Sequence, residues 1–97
     1  MKFVTDPCPE DKAFRFKDGN RARSLDEFNR IVQHAPADVL QYHKTHFHYW
    51  LKDIVQDPQL AERVKHEGER ARDGEQLRGS LTTILGQVIP TKAGQKH

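Results

Sequence analysis

Three histidines stand close together in the middle of this chain, His43, His46 and His48, beside its single tryptophan, Trp50. On a continuous helix His43 and His46 are i,i+3 neighbours and can share one metal ion, while His48 points elsewhere. A tight zinc site needs three or four ligands, and the further donors on offer are His34, Cys8 and Asp53. No paired-ligand motif of the CxxC or HExxH kind is present. The plainer account is three amphipathic side chains flanking Trp50, satisfied by water and backbone carbonyls. No cofactor is expected on that account. A metal-binding or sensory protein using His43 and His46 is the alternative.

Nucleophilic chemistry has fewer supports. Cys8 with any histidine would make a Cys–His pair, but Cys8 lies between Pro7 and Pro9, in a segment not expected to be held rigidly. Asp53 and Asp57 are four apart and could face each other on one helix. Asp57 is better explained as a helix cap, Asp53 as a surface side chain. Ser24 has a capping role, and Gly19 stands alone, so no phosphate-binding loop is visible. With no catalytic set assembled, the expectation is a protein that is not an enzyme.

Aromatic side chains are the third resource. Phe14, Phe16, Phe28, Tyr42, Phe47, Tyr49 and Trp50 are numerous for so short a chain. Aromatics at helical spacing bury large areas and belong to cores. Tyr49 falls off the stripe that holds Phe47 and Trp50 and is expected at the surface. Arg15, Lys17, Arg21 and Arg23 beside Phe14 and Phe16 support weak RNA binding as a second alternative. The overall charge does not. Sixteen Lys and Arg face fourteen Asp and Glu, for a net charge of +2, and the signs are interspersed. Displacing counterions from a nucleic acid needs a one-signed patch, so nucleic acid is not an expected partner.

The elements that must position these residues are mostly helical. Ala13 to Lys17 alternates apolar and polar, which puts Phe14 and Phe16 on one face of an extended segment before the turn signal Asp18-Gly19-Asn20. With no visible partner strand, this segment is expected to lie as an arm on helices. Ser24-Leu25-Asp26-Glu27 is a capping box opening a first helix, with Leu25, Phe28, Ile31 and Val32 as its apolar stripe and Pro36 as its end. A short second helix carries Val39, Leu40, Tyr42 and His43. Thr45 is a candidate N-cap for a third, from about His46 to Gln56, whose stripe is Phe47, Trp50, Leu51, Ile54 and Val55. Asp57-Pro58 caps and starts a fourth with Leu60, Ala61 and Val64.

Residues 65–75 are nearly all charged and contain Gly68 and Gly74, so they predict an exposed helix or a linker. Residues 76–89 form an amphipathic C-terminal helix with Leu77, Leu81, Ile84, Leu85 and Val88 on one side, stopped by Pro90. Residues 90–97 are a polar tail expected to be disordered, and residues 1–12 a lead-in to the core at 13–64. The whole is one domain, an all-α bundle of four to five helices with a short N-terminal extended arm. A single cysteine, no signal-like apolar stretch and no run near the ~18 residues of a membrane span predict a cytoplasmic protein without a membrane partner.

Phe14, Phe16, Asp18, Gly19, then Ala22, Ser24, Leu25, Glu27, Phe28, then His43, Phe47, Trp50, Leu51, Asp57, Leu60 and Ala61 make a pattern over about residues 14–64. It resembles a family of small uncharacterised helical domains from archaea and bacteria. Members carry F-x-F-x-D-G, A-x-S-L-x-E-F, a histidine, an aromatic-x-x-W run and D-x-x-L-A. Where members often have Asn-Asp before the aromatic, this chain has Thr45-His46. The resemblance implies a helical fold and no activity.

The function expected from these features is a non-enzymatic protein-interaction module that self-associates through its C-terminal helix. Its interaction surface is expected at Leu77, Leu81, Ile84, Leu85 and Val88, with His43, His46 and Tyr49. The partner is a protein, a second copy of the chain included.

Overall fold

The N-terminal third is built around a hairpin. In the computed structural model, which describes the backbone of residues 2–93 and side chains as far as Ile89, strand β1 (Phe14–Arg15) pairs antiparallel with strand β2 (Arg21–Ala22). Gly19 takes a φ of 99°, in the left-handed region that glycine enters without a Cβ clash. The Asp18 carboxylate accepts from the Asn20 amide at 3.1 Å, and the Phe16 amide donates to the Asn20 carbonyl at 2.8 Å. The expected lone arm is therefore half of a two-stranded sheet, and the fold is mostly helical rather than purely all-α. Its partner strand has only two paired residues, too few for an alternating pattern to show.

The residues before the hairpin are fixed as well. The Phe3 and Val4 carbonyls accept from the amides of Leu25 and Asp26 at 2.7 and 2.8 Å. These amides open helix α1 (Leu25–His34) and have no partner within it. The Ser24 hydroxyl accepts from the Glu27 amide at 3.1 Å, as the capping box requires. The Glu27 carboxylate returns to the amide of Arg23, not to that of Ser24. A 3-10 turn at Glu10–Lys12 brings the Lys12 carbonyl to the Trp50 indole N–H at 2.8 Å. Residues 2–12 are thus tied to α1 and to helix α3 (Phe47–Asp53), where the sequence predicts only a lead-in.

Helix α2 (Ala37–Tyr42) follows α1 directly. Helix α3 is shorter than the predicted 46–56, because Gln56 adopts a φ of 63° and turns the chain. His46, not Thr45, takes the N-cap position of α3, and no side chain caps it. Asp57 and Pro58 start helix α4 (Pro58–Arg70), the Asp57 carboxylate accepting from the Leu60 amide at 3.1 Å.

The charged stretch belongs to α4 as far as Arg70 and is not a linker there. After a three-residue connection, helix α5 spans Gly74–Ala93. Asp73 and Gln76 form a second capping box, at the end of the stretch where the sequence predicts an exposed helix or a linker. The Asp73 carboxylate accepts from the Gln76 amide at 2.9 Å, and the Gln76 side-chain oxygen accepts from the Arg72 amide at 2.6 Å. At its far end α5 continues through Pro90 to Ala93 instead of stopping. Proline removes a single amide donor, which costs helix stability without forbidding helical backbone. Of the tail expected at 90–97, residues 94–97 lie outside the described residues.

One core joins all of these elements. Helix α5 packs against α1, α2 and α4, and α3 packs against α4. Phe14, Phe16, Phe28, Phe47 and Trp50 form an aromatic cluster with ring centroids 4.9 to 6.2 Å apart. Arg78 on α5 donates to the Val32 carbonyl at 2.9 Å, satisfying an open carbonyl in the last turn of α1. Glu75 holds the same guanidinium through two bonds of 3.0 Å, and those bonds keep its carboxyl below the ordinary range.

Candidate functional site

The elbow between α2 and α3 gathers the chemistry-bearing residues. His43 follows the last residue of α2 and is buried. Its Nε2 accepts from the Lys17 backbone N–H at 2.9 Å, a bond from the helices to the hairpin. A nitrogen that accepts carries no proton, so the neutral ring holds its proton on Nδ1. That Nδ1 lies 3.0 Å from the Nδ1 of His46, which must then be the acceptor. Burial, and then the charges of His46 and Lys17, hold His43 below the ordinary histidine value. Phe14 and Phe16 meet the imidazole edge-on at 5.3 and 5.8 Å.

The outer side of the elbow is open to solvent. His46 and Thr45 are exposed, and among the described residues the exposed large side chains with apolar bodies are Tyr42 and Tyr49. The Lys17 ammonium sits over the Tyr42 ring, 4.7 Å from its centroid. Beside the elbow runs a groove of about 970 Å³ between α3 and α4. His46, His48, Tyr49 and Lys52 line one side, and Glu62, Lys65 and Glu69 the other. Ala61 and Pro58 add apolar surface to the same groove. The His48 and Tyr49 rings lie 4.1 Å apart at a 34° tilt. His48 Nδ1 is shielded from solvent with no partner among the described residues. Burial, and then the Lys65 charge, lower its pKa, so the ring is neutral above the ordinary histidine value.

The predicted site residues divide between this region and the core. His46 and Tyr49 lie at the groove, while His43 is buried against the hairpin as a structural contact. Leu77, Leu81, Ile84 and Leu85 are buried in the chain's own core, and Val88 packs against it. Their stripe is spent within one molecule, because α5 starts three residues after α4 and folds straight back over α1 and α2.

The alternative metal site has two donors only. Among the described residues no group of three or more His, Cys, Asp or Glu could hold a metal ion. His43 Nε2 is already engaged by the Lys17 amide, so the two rings form a hydrogen-bonded pair rather than half of a coordination shell. The basic arm is not a one-signed patch either. Arg21 and Arg23 both pair with Glu10, and Lys17 lies 4.0 Å from Asp38. Asp53 ends α3 while Asp57 caps α4, so the two carboxylates do not share a helix.

Cys8 overturns the expectation of a loose segment. It is fully buried, its amide donates to the Arg23 carbonyl at 2.6 Å, and Arg23 Nε donates back to its carbonyl at 2.8 Å. Burial raises the thiol above its ordinary value. Thiolate is the reacting form, so native Cys8 should react with a disulfide reagent at least ~10-fold more slowly than the unfolded chain. Stopped-flow thiol titration with and without denaturant checks this, and equal rates would contradict the buried placement.

His46 and Tyr49, expected from the sequence at an interaction surface, line one wall of the groove, but Glu62, Lys65 and Glu69 of the other wall were missed. They come from α4, and no local pattern links that helix to His46 and Tyr49. Comparison with family models, with curated proteins and with solved structures returns no match for this chain. No helix among the described residues is long and apolar enough to cross a membrane.

Proposed function

We propose that this protein is a non-enzymatic protein-interaction module whose recognition face is the α3–α4 groove with the adjoining elbow. The carrying observation is Tyr49, a tyrosine 61% exposed on the groove wall, on a helix anchored by buried Phe47, Trp50 and Leu51. A rigidly held tyrosine with a free face is the side-chain type that dominates binding energy at interfaces. Lys52 and Lys65 stand near Asp53, Glu62 and Glu69, so the groove suits a peptide segment bearing both an apolar anchor and charges of either sign.

Selection of a random peptide library on the native protein, with counter-selection on Tyr49→Ala, tests the reading. Peptides should emerge that lose at least ~10-fold in affinity on Tyr49→Ala, in line with the truncation of an interface hot spot. Their amide shift changes should centre on His46, His48, Tyr49 and Lys65. Peptides insensitive to Tyr49, or shifts that map elsewhere, would reject the groove.

Self-association enters this proposal in one form. A second copy can take the stripe of α5 only if the two molecules exchange that helix, which keeps the same buried contacts. Light scattering on the full chain checks it. A mass that stays at one chain across the accessible concentrations removes self-association and leaves the groove reading intact.

A further inference from the structure

We propose that His43 and His46 form an acid-released latch that holds the β-hairpin against the helices. The pair carries one proton between its two Nδ1 atoms and accepts a second hydrogen bond from the Lys17 amide at His43 Nε2. Adding a proton cannot preserve both bonds. If it goes to His43 Nε2, two N–H groups face each other at Lys17. If it goes to His46 Nδ1, two N–H groups face each other within the pair. If His46 becomes the donor to His43 Nδ1, the proton of His43 moves to Nε2 and again opposes Lys17. Every singly protonated form of the pair therefore loses one of its two hydrogen bonds, and the forms with a proton on His43 Nε2 lose the one that holds Lys17.

The surroundings do not offset that loss. Lys17 from the hairpin and His46 from the elbow disfavour positive charge on His43, and Asp18 alone favours it. The other rings packed on His43 are Phe14, Phe16, Phe47 and Tyr42, none of which accepts its proton strongly. With the hairpin open, His43 takes a proton near its ordinary value of 6.5, whereas the closed form binds it only at lower pH. Closure is thus fully favoured above the ordinary value and lost as pH falls through the closed-form value. Opening withdraws Phe14 and Phe16 from the aromatic cluster and lifts Lys17 off Tyr42.

Amide hydrogen exchange of Lys17, measured by NMR between about pH 7.5 and about pH 5 and corrected for the intrinsic rate, tests the latch. Its opening equilibrium should rise about tenfold or more on acidification, since a buried donor is left facing a donor. The amides of Leu81 and Leu85 in the core of α5 should keep their protection. His43→Gln offers the Lys17 amide a side-chain oxygen that does not titrate, so its profile should be flat. Nitrogen-15 imidazole spectra of the wild-type chain give an independent reading, with His43 protonated on Nδ1 at neutral pH. Unchanged Lys17 protection across the range, simultaneous loss at Leu81 and Leu85, or a proton on Nε2 at neutral pH would each overturn the proposal.

Discussion

Gly74→Ala is expected to lower the melting temperature by on the order of 15 °C, although alanine is the better helix former by ~1 kcal/mol. A Cβ at position 74 would lie 1.9 Å from the Ala37 carbonyl oxygen, 2.6 Å from its carbon and 2.8 Å from its Cα. All three are backbone atoms at the start of α2, so no rotamer change relieves the overlap. The first turn of α5 must withdraw from α2, weakening a contact that holds the last helix in the core. Overpacking typically costs about 1–3 kcal/mol, and an overlap with rigid backbone this deep belongs at the upper end, a large part of the ~5–15 kcal/mol that stabilises a domain. Gly68→Ala follows the same logic, with its Cβ 2.3 Å from the Lys44 carbonyl oxygen at the elbow. Gly79 and Gly86 supply the contrast, because a Cβ at either meets nothing within 4 Å. Alanine there should raise stability by roughly 0.5–1 kcal/mol. Thermal melts of the four variants decide the matter, and a Gly74→Ala protein as stable as Gly79→Ala would refute the close approach.

Phe28→Ala should cost about 3–5 kcal/mol, the range for truncating a fully buried phenylalanine. Phe28 lies at the centre of the aromatic cluster. Its ring centroid is 5.9 Å from those of Phe14 and Phe16, 5.1 Å from Phe47 and 5.5 Å from Trp50. Phe14 and Phe16 come from the hairpin, Phe47 and Trp50 from α3, and Phe28 from α1, so one ring joins three elements. Its removal leaves a cavity that rigid neighbours fill only in part. Urea unfolding followed by Trp50 fluorescence measures the loss, and near-ultraviolet dichroism should weaken as the rings lose fixed partners. A loss below about 1 kcal/mol would mean that the cluster is not packed as the ring geometry states.

Most of the helical frame was legible because its signals are local. Ser24 and Asp57 each cap a helix through the hydrogen bond that their spacing predicts. Phe47, Trp50 and Leu51 are buried as their helical period requires. Phe14 and Phe16 share a buried face as alternation requires. The hairpin was missed because its return strand is two residues long. The Asp73–Gln76 box was missed because charges and glycine surround it. Gly68 and Gly74 looked like weak points in a helix, yet each marks where another chain segment passes too close for a side chain.

The sequence by itself determined the caps, the apolar stripes and the absence of a paired-ligand metal motif, since each depends on residues within one or two helical turns. Only the tertiary structure decided what those stripes face. It turned α5 back onto its own core, buried Cys8 and left Tyr49 outside. It also converted the His43–His46 spacing from a candidate metal pair into a hydrogen-bonded link to Lys17, twenty-six residues earlier in the chain. A partner that far away leaves no periodic trace in sequence. The proton on His43 is placed by that distant amide, and no motif records it.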